Sequence, residues 1–186
     1  MKKYHRIQNL YYGLIAVFLI LVQNSVAQNS PETDKSKGIN RISASEYKDI
    51  CINGITRTDI EATQGNSKQM ASLFKLTFNI TNDSIPDNTI NFKQNEKGLF
   101  FSFVDLSDLG AKNQLEYFTI SNNQSSFTIK GKTIKVGDNI GVLGDVNVDN
   151  RDGTISFSTW NESSFIEIQF DKQSKTITGI KYEVFT

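Results

Sequence analysis

The chain has 186 residues, with 20 basic and 20 acidic side chains, one histidine and one cysteine. This balance gives no electrostatic footprint for nucleic acid and no polybasic membrane patch, and a lone cysteine excludes an internal disulfide. There is no phosphate-binding loop, GxSxG elbow, HExxH helix or paired-cysteine motif, so the familiar catalytic signatures are missing.

Residues 1–27 have the layout of a secretory signal peptide: a basic start at Lys2, Lys3 and Arg6, an apolar run Tyr11–Val22, and the small-x-small sequence Ser25-Val26-Ala27 before Gln28. The run has 12 residues, where a membrane span takes about 20, so cleavage is expected and no stable span after it. Removal of residues 1–27 would discard His5 and leave 159 residues (186 less 27) carrying 17 basic and 20 acidic groups, a net charge of −3. The expected localisation is periplasmic or extracellular.

Residues 28–41 read as a flexible polar leader, and 42–186 as a single β-rich domain. Ser43-Ala44-Ser45-Glu46 matches a capping box that opens a short helix. Cys51 lies in Ile50-Cys51-Ile52 and reads as a small buried hydrophobe, with no imidazole in the mature chain to activate it. Thr58-Asp59-Ile60-Glu61 is a second capping box, stopped by Gly65. Alternation then dominates: Phe74, Leu76, Phe78 and Ile80 share one strand face, followed after an apparent insertion (Asp83–Gly98) by Leu99, Phe101 and Phe103, then Phe118 and Ile120. Asp138–Leu143 repeats the helix signal, with Gly144 as its stop. Ile166, Ile168 and Phe170, and finally Ile180, Tyr182 and Val184, alternate with polar partners. One apolar and one wet face per strand is the signature of an antiparallel sheet covered on one side.

The two later helix signals sit in matching contexts. Ile52-Asn53-Gly54-Ile55-Thr56 precedes the first and Ile129-Lys130-Gly131-Lys132-Thr133 the second, and Asp59 and Gly65 lie 79 residues before Asp138 and Gly144. This predicts an α+β fold with an antiparallel sheet, short capped helices on one face, and two tandem repeats at about 50–122 and about 127–186. The alternative is an all-β sandwich or barrel. Gly137-Asp138-Asn139-Ile140-Gly141-Val142-Leu143-Gly144, with Phe165–Asp171 and Thr178–Tyr182 after it, resembles the repeat of the β-lactamase-inhibitor-protein fold and the small lipoproteins of outer-membrane assembly. The resemblance implies two α/β repeats and a binding or assembly role. The disulfide within each repeat of the inhibitor proteins has no counterpart here.

Two groups of residues are candidate sites. Asp145, Asn147, Asp149 and Asp152 space oxygen ligands as a calcium loop does, but neither register supplies the glycine and the terminal acid together with a first ligand. A polar Asp-Gly turn accounts for the same residues, and no metal or other cofactor is expected. Trp160, Phe165, Phe100 and Tyr117 fall on the polar faces of their strands, beside Glu167, Gln169, Lys181 and Glu183. A face mixing rings with charges suits recognition of a protein or glycan, although the same rings could pack under a loop. Asp105 and Asp108 read as solvated turn carboxylates. Three functions follow: an exported, non-catalytic binding or inhibitor-like module for a protein or envelope ligand; a structural or assembly protein of the bacterial cell envelope; and a carboxylate-dependent hydrolase, which the sequence supports least.

Overall fold

A computed structural model describes residues 38–83, 88–159 and 164–184, all within one compact unit of the chain, Thr33–Thr186. Residues 1–37, covering the expected signal peptide and most of the expected leader, lie outside these residues. So do Trp160 and Phe185.

The first strand, β1 (Ile39–Arg41), belongs to the segment read as leader. It runs parallel to β10 (Thr154–Ser158), with Asn40 opposite Phe157. Asn40 explains why this polar stretch is ordered. Its amide donates to the carbonyls of Asn147 and Ser156 (3.0 and 3.1 Å), and its Oδ1 accepts from the Asn147 N–H at 2.7 Å. The ordered domain therefore starts before Ile42.

Helix α1 (Ala44–Lys48) has the expected capping box: Ser43 accepts from the Glu46 N–H, and the Glu46 carboxylate accepts from the Ser43 N–H at 2.7 Å. The short strands β2 (Cys51–Ile52) and β3 (Ile55–Thr56) form a hairpin that leads into α2 (Arg57–Ala62). The N-cap of α2 is Thr56, two residues before the expected Thr58. Thr56 Oγ1 accepts from the Asp59 N–H at 3.1 Å and donates to the Asp59 carboxylate at 2.6 Å. Glu61, expected to reach back to the cap, is held by an i,i+4 ion pair with Arg57.

Helix α3 (Ser67–Phe74) replaces the first part of the strand expected at Phe74–Ile80. Asn66 caps it by accepting from the Gln69 N–H at 3.1 Å, Met70 and Phe74 bury its inner side, and Lys75 ends it in the left-handed conformation. Strand β4 (Asn79–Asp83) begins only after this cap. The segment expected as an insertion holds a strand, β5 (Thr89–Gln94), which pairs along its whole length with β6 (Leu99–Val104) and over Thr89–Lys93 with β4. Strand β7 (Gln114–Ile120) completes this part of the sheet. A second hairpin, β8 (Phe127–Ile129) and β9 (Lys132–Ile134), follows. The helix expected at Asp138–Leu143 is only a 3-10 turn at Ile140–Leu143, capped by Asn139 and closed by Gly144. Strands β10, β11 (Ser164–Phe170) and β12 (Ile177–Val184) end the fold.

The protein is thus mostly β, built on one large mixed sheet and one small sheet. The large sheet has the order β1-β10-β11-β12-β7-β6-β5-β4, and among the described residues only the β1·β10 pair is parallel. It is open, with β1 and β4 at its edges, which overturns the barrel alternative. The small sheet has the order β3-β2-β8-β9. Both sheets are arranged about a central antiparallel pair, β7·β12 in the large one and β2·β8 in the small one. The hairpin turns Asn53-Gly54 and Lys130-Gly131 have positive φ at both residues, as the tightest hairpin connection requires.

The core lies on one side of the large sheet. Phe92, Phe101, Phe103, Phe118, Ile155, Phe157, Ile166, Ile168 and Tyr182 are buried there. Phe74 of α3 packs on Phe101 with centroids 5.1 Å apart, and Phe127 of the small sheet on Phe118 at 6.0 Å. This dense aromatic core stands in for a disulfide, since Cys51 is a free thiol. Cys51 itself is half-buried rather than fully buried, and donates to the Asp49 carbonyl at 3.3 Å. Burial pushes its thiol above the ordinary range, and the nearby Asp49 and Asp59 push it further, which keeps it protonated.

Candidate functional site

Strand register decides which predicted residues meet. Along one row of the large sheet stand Ser156, Glu167, Lys181, Thr119, Phe100 and Lys93, each opposite the next on the neighbouring strand. The adjacent row, two residues along, holds Ser158, Phe165, Glu183, Tyr117, Ser102 and Asn91. Side chains alternate across a strand, so both rows point away from the core. Seven of the eight predicted residues (Phe165, Glu167, Gln169, Lys181, Glu183, Tyr117 and Phe100) therefore share the outer face of four consecutive strands, β11, β12, β7 and β6. The eighth, Trp160, lies outside the described residues.

The rings of Phe100 and Tyr117 stack with centroids 5.4 Å apart and planes 22° from parallel. Beside them Lys181 pairs with Glu183 at 2.7 Å, and Gln169 donates to Glu167 at 2.9 Å. Both members of the ion pair are substantially exposed, so it adds at most about 1 kcal/mol and serves more to position charge. Below the rings the polar groups are better covered. Ser102, 1% exposed, donates to Glu116 at 3.2 Å, and Asn91 donates to Asp83 at 2.8 Å while its Oδ1 is buried without a partner. Desolvation pushes the Tyr117 phenol above its ordinary value, and Glu116 adds to the shift, with Lys181 opposing it. The phenol stays neutral and is available as a donor.

A second polar group was not foreseen. Tyr182, 0% exposed on the core side of β12, shares a hydrogen bond of 2.8 Å with Tyr47 of α1, and Ser164 donates to the same Tyr47 hydroxyl at 2.6 Å. The Arg57 guanidinium lies 4.3 Å over the Tyr47 ring. With Glu61 these groups line a cleft of about 290 Å³ between α1, α2 and the sheet. The available signal was a tyrosine where the alternation asked only for an apolar residue, because a buried phenol seeks a partner.

Burial and the Tyr47 bond hold the Tyr182 phenol far above its ordinary value. An unfolded tyrosine loses its proton near about pH 10, so above that pH the folded state holds more protons than the unfolded one. The stability from this group is fully present below about pH 10 and is lost as pH rises beyond it, by up to about 1.4 kcal/mol per pH unit. Urea unfolding between about pH 9 and about pH 11 should show a steeper alkaline decline in the wild type than in Tyr182→Phe. Parallel declines would show that another group is responsible.

Of the calcium-like residues, Asp149 and Asp152 meet in one turn, where protein groups engage both. Asp149 Oδ1 accepts from the N–H groups of Arg151 and Asp152, and the Arg151 guanidinium pairs with the Asp152 carboxylate at 3.1 Å. Asn147 instead faces β1 through Asn40. Among the described residues no group of three or more His, Cys, Asp or Glu side chains is placed to hold a metal ion, and no helix is long and apolar enough to cross a membrane. Comparison with family models, curated proteins and solved structures found no match.

Proposed function

We propose that the protein is an exported, non-catalytic binding module that recognises a protein or envelope ligand through the outer face of its large sheet. One observation carries this reading: Phe100, Tyr117, Phe165, Glu167, Lys181 and Glu183 occupy two adjacent rows across four strands. Aromatic anchors ringed by polar and charged groups are the usual composition of a binding hot spot. Phe100, Tyr117 and Phe165 stay half-buried on this face while the core already takes nine phenylalanines at under 10% exposure, and partly exposed rings beside charged groups favour a use outside the fold.

We also infer that the two halves are copies of one α/β unit. Each begins with a tight hairpin, passes through a capped helical turn and ends in antiparallel strands. The final strands β7 and β12 pair at the centre of the sheet. In the second half the slot outside β10, matching that of β4 outside β5, is filled by β1. Such a duplication is what the likeness to the β-lactamase-inhibitor-protein fold would entail.

The test uses the mature chain, immobilised and exposed to envelope extract. Wild type should retain a partner in fixed ratio, and Phe100→Ala/Tyr117→Ala should lose it, each truncation costing about 2 kcal/mol of binding. Because both rings lie outside the core, urea unfolding of the double variant should stay within about 2 kcal/mol of wild type. Undiminished capture by a folded double variant would refute the reading.

A further inference from the structure

The edge of the large sheet at β4 is built differently from the edge at β1. All five residues Asn79–Asp83 are exposed, their register with β5 is continuous, and among the described residues no strand pairs with the far side. Sheet edges are normally guarded by brevity, bulges, proline or lysine, because an unpaired row of N–H and C=O groups recruits other strands. Strand β1 has such guards, being three residues long and carrying Arg41. Strand β4 has none. Its one charge, Asp83, accepts a hydrogen bond from Asn91.

A cleft of about 590 Å³ lies between β4 and the α2–α3 connection. None of the eleven described residues that line it is charged, in a chain where 22% of residues are. Ile90 and Ile80, the latter 45% exposed, form an apolar strip. The side-chain amides of Gln64, Gln69 and Asn82 border it without a hydrogen-bond partner among the described residues.

We propose that β4 is a docking edge, to which an extended, uncharged segment of a partner polypeptide adds as a ninth strand. Backbone pairing along Asn79–Asp83 supplies affinity, and alternate side chains of the segment enter the cleft over Ile80 and Ile90. The free amides match backbone and amide groups, and a charged side chain there would be desolvated with no opposite charge among the described lining residues to pair it. The opposite edge already shows the chemistry. There β1 adds to β10, and the Asn40 amide pairs with the backbone carbonyls of Asn147 and Ser156. This site is separate from the outer face and does not rest on it.

The test pans a phage library of random peptides, about twelve residues long, on the whole mature chain. Enriched peptides are then synthesised and titrated against wild type, Ile80→Lys and Phe100→Ala/Tyr117→Ala. The expected peptides are uncharged with alternating apolar positions. Ile80→Lys should weaken them at least tenfold, the outer-face variant should leave them unchanged, and the β4 amides should exchange more slowly with solvent when a peptide is bound. Asn82→Lys, on the same side of the strand, serves if Ile80→Lys fails to fold. The proposal fails if no peptide is enriched, if binding survives a lysine at both positions, or if sedimentation shows a dimer that Ile80→Lys dissociates. That last result would give the edge to a second copy of the chain.

Discussion

Replacing Phe118 by alanine should cost about 3–5 kcal/mol, the largest effect expected of any single change in this protein. Phe118 is fully buried on β7 at the centre of the large sheet. Its ring stacks on Tyr182 at 5.0 Å and 12°, and meets Phe101 at 6.2 Å and Phe127 at 6.0 Å. It thus touches β12, β6 and β8 at once, joining the two halves of the large sheet and tying the small sheet to it. Backbone pairing holds the surrounding strands in register, so they cannot collapse into the space a deleted ring would leave. Domains of this size are stable by about 5–15 kcal/mol, so the variant would lose a large fraction of that. Urea unfolding followed by circular dichroism checks the value. Phe100→Ala, on the opposite face of the adjoining strand, is the control, and equal losses in the two variants would show that burial is not the cause.

Gly98→Ala should cost more than about 2 kcal/mol through the backbone alone. Gly98 closes the β5–β6 turn at φ +61°, where a side chain is strained. A Cβ there would stand 2.7 Å from the backbone nitrogen of Asn122 and 2.6 Å from its side chain. Asn122 cannot simply withdraw. Its amide donates to the carbonyls of Asn95 and Glu96, and the Ser121 N–H donates to the Gly98 carbonyl at 2.9 Å. The substitution therefore strains one turn and loosens the segment that leads from β7 to the small sheet. Gly131→Ala has the same sign of φ and open space around it, so it isolates the conformational part, and Gly98→Ala should be the worse of the two. Equal melting curves would contradict the clash.

Where alternation was strict the fold could be read from the chain. The apolar sets Leu99/Phe101/Phe103, Phe118/Ile120, Ile166/Ile168/Phe170 and Ile180/Tyr182 all face the core. So did the gathering of Phe100, Tyr117, Phe165 and their charged neighbours follow from period two, since pairing in register brings equivalent faces together. The misreadings arose where long-range contacts outweighed local pattern. Phe74, Leu76, Phe78 and Ile80 alternate by coincidence across a helix end, a left-handed Lys75 and the start of β4. Asn66 was the overlooked start signal, hidden because the first turn of α3 is polar. Strand β5 has only Ile90 and Phe92 to announce it among asparagines, and β1 owes its order to Asn40, whose partners are more than 100 residues away. The Tyr47–Tyr182–Ser164 group likewise joins residues far apart in sequence, which no local window brings together.

Strand β12 lies in the middle of the large sheet, between β7 and β11. A chain still emerging from the ribosome holds β1 to β11 without the strand that joins them, leaving two separate half-sheets with raw edges at β7 and β11. The parallel closure of β1 on β10 must itself wait until Ser158 has been made, more than 100 residues after β1. The native arrangement therefore cannot form progressively from the N-terminus; it must be completed in one late step, after synthesis has passed Val184. A polypeptide with that wiring stays loose and threadable while it is being made, and a product truncated before Ile177 would be left with two sticky fragments of sheet rather than a smaller folded protein.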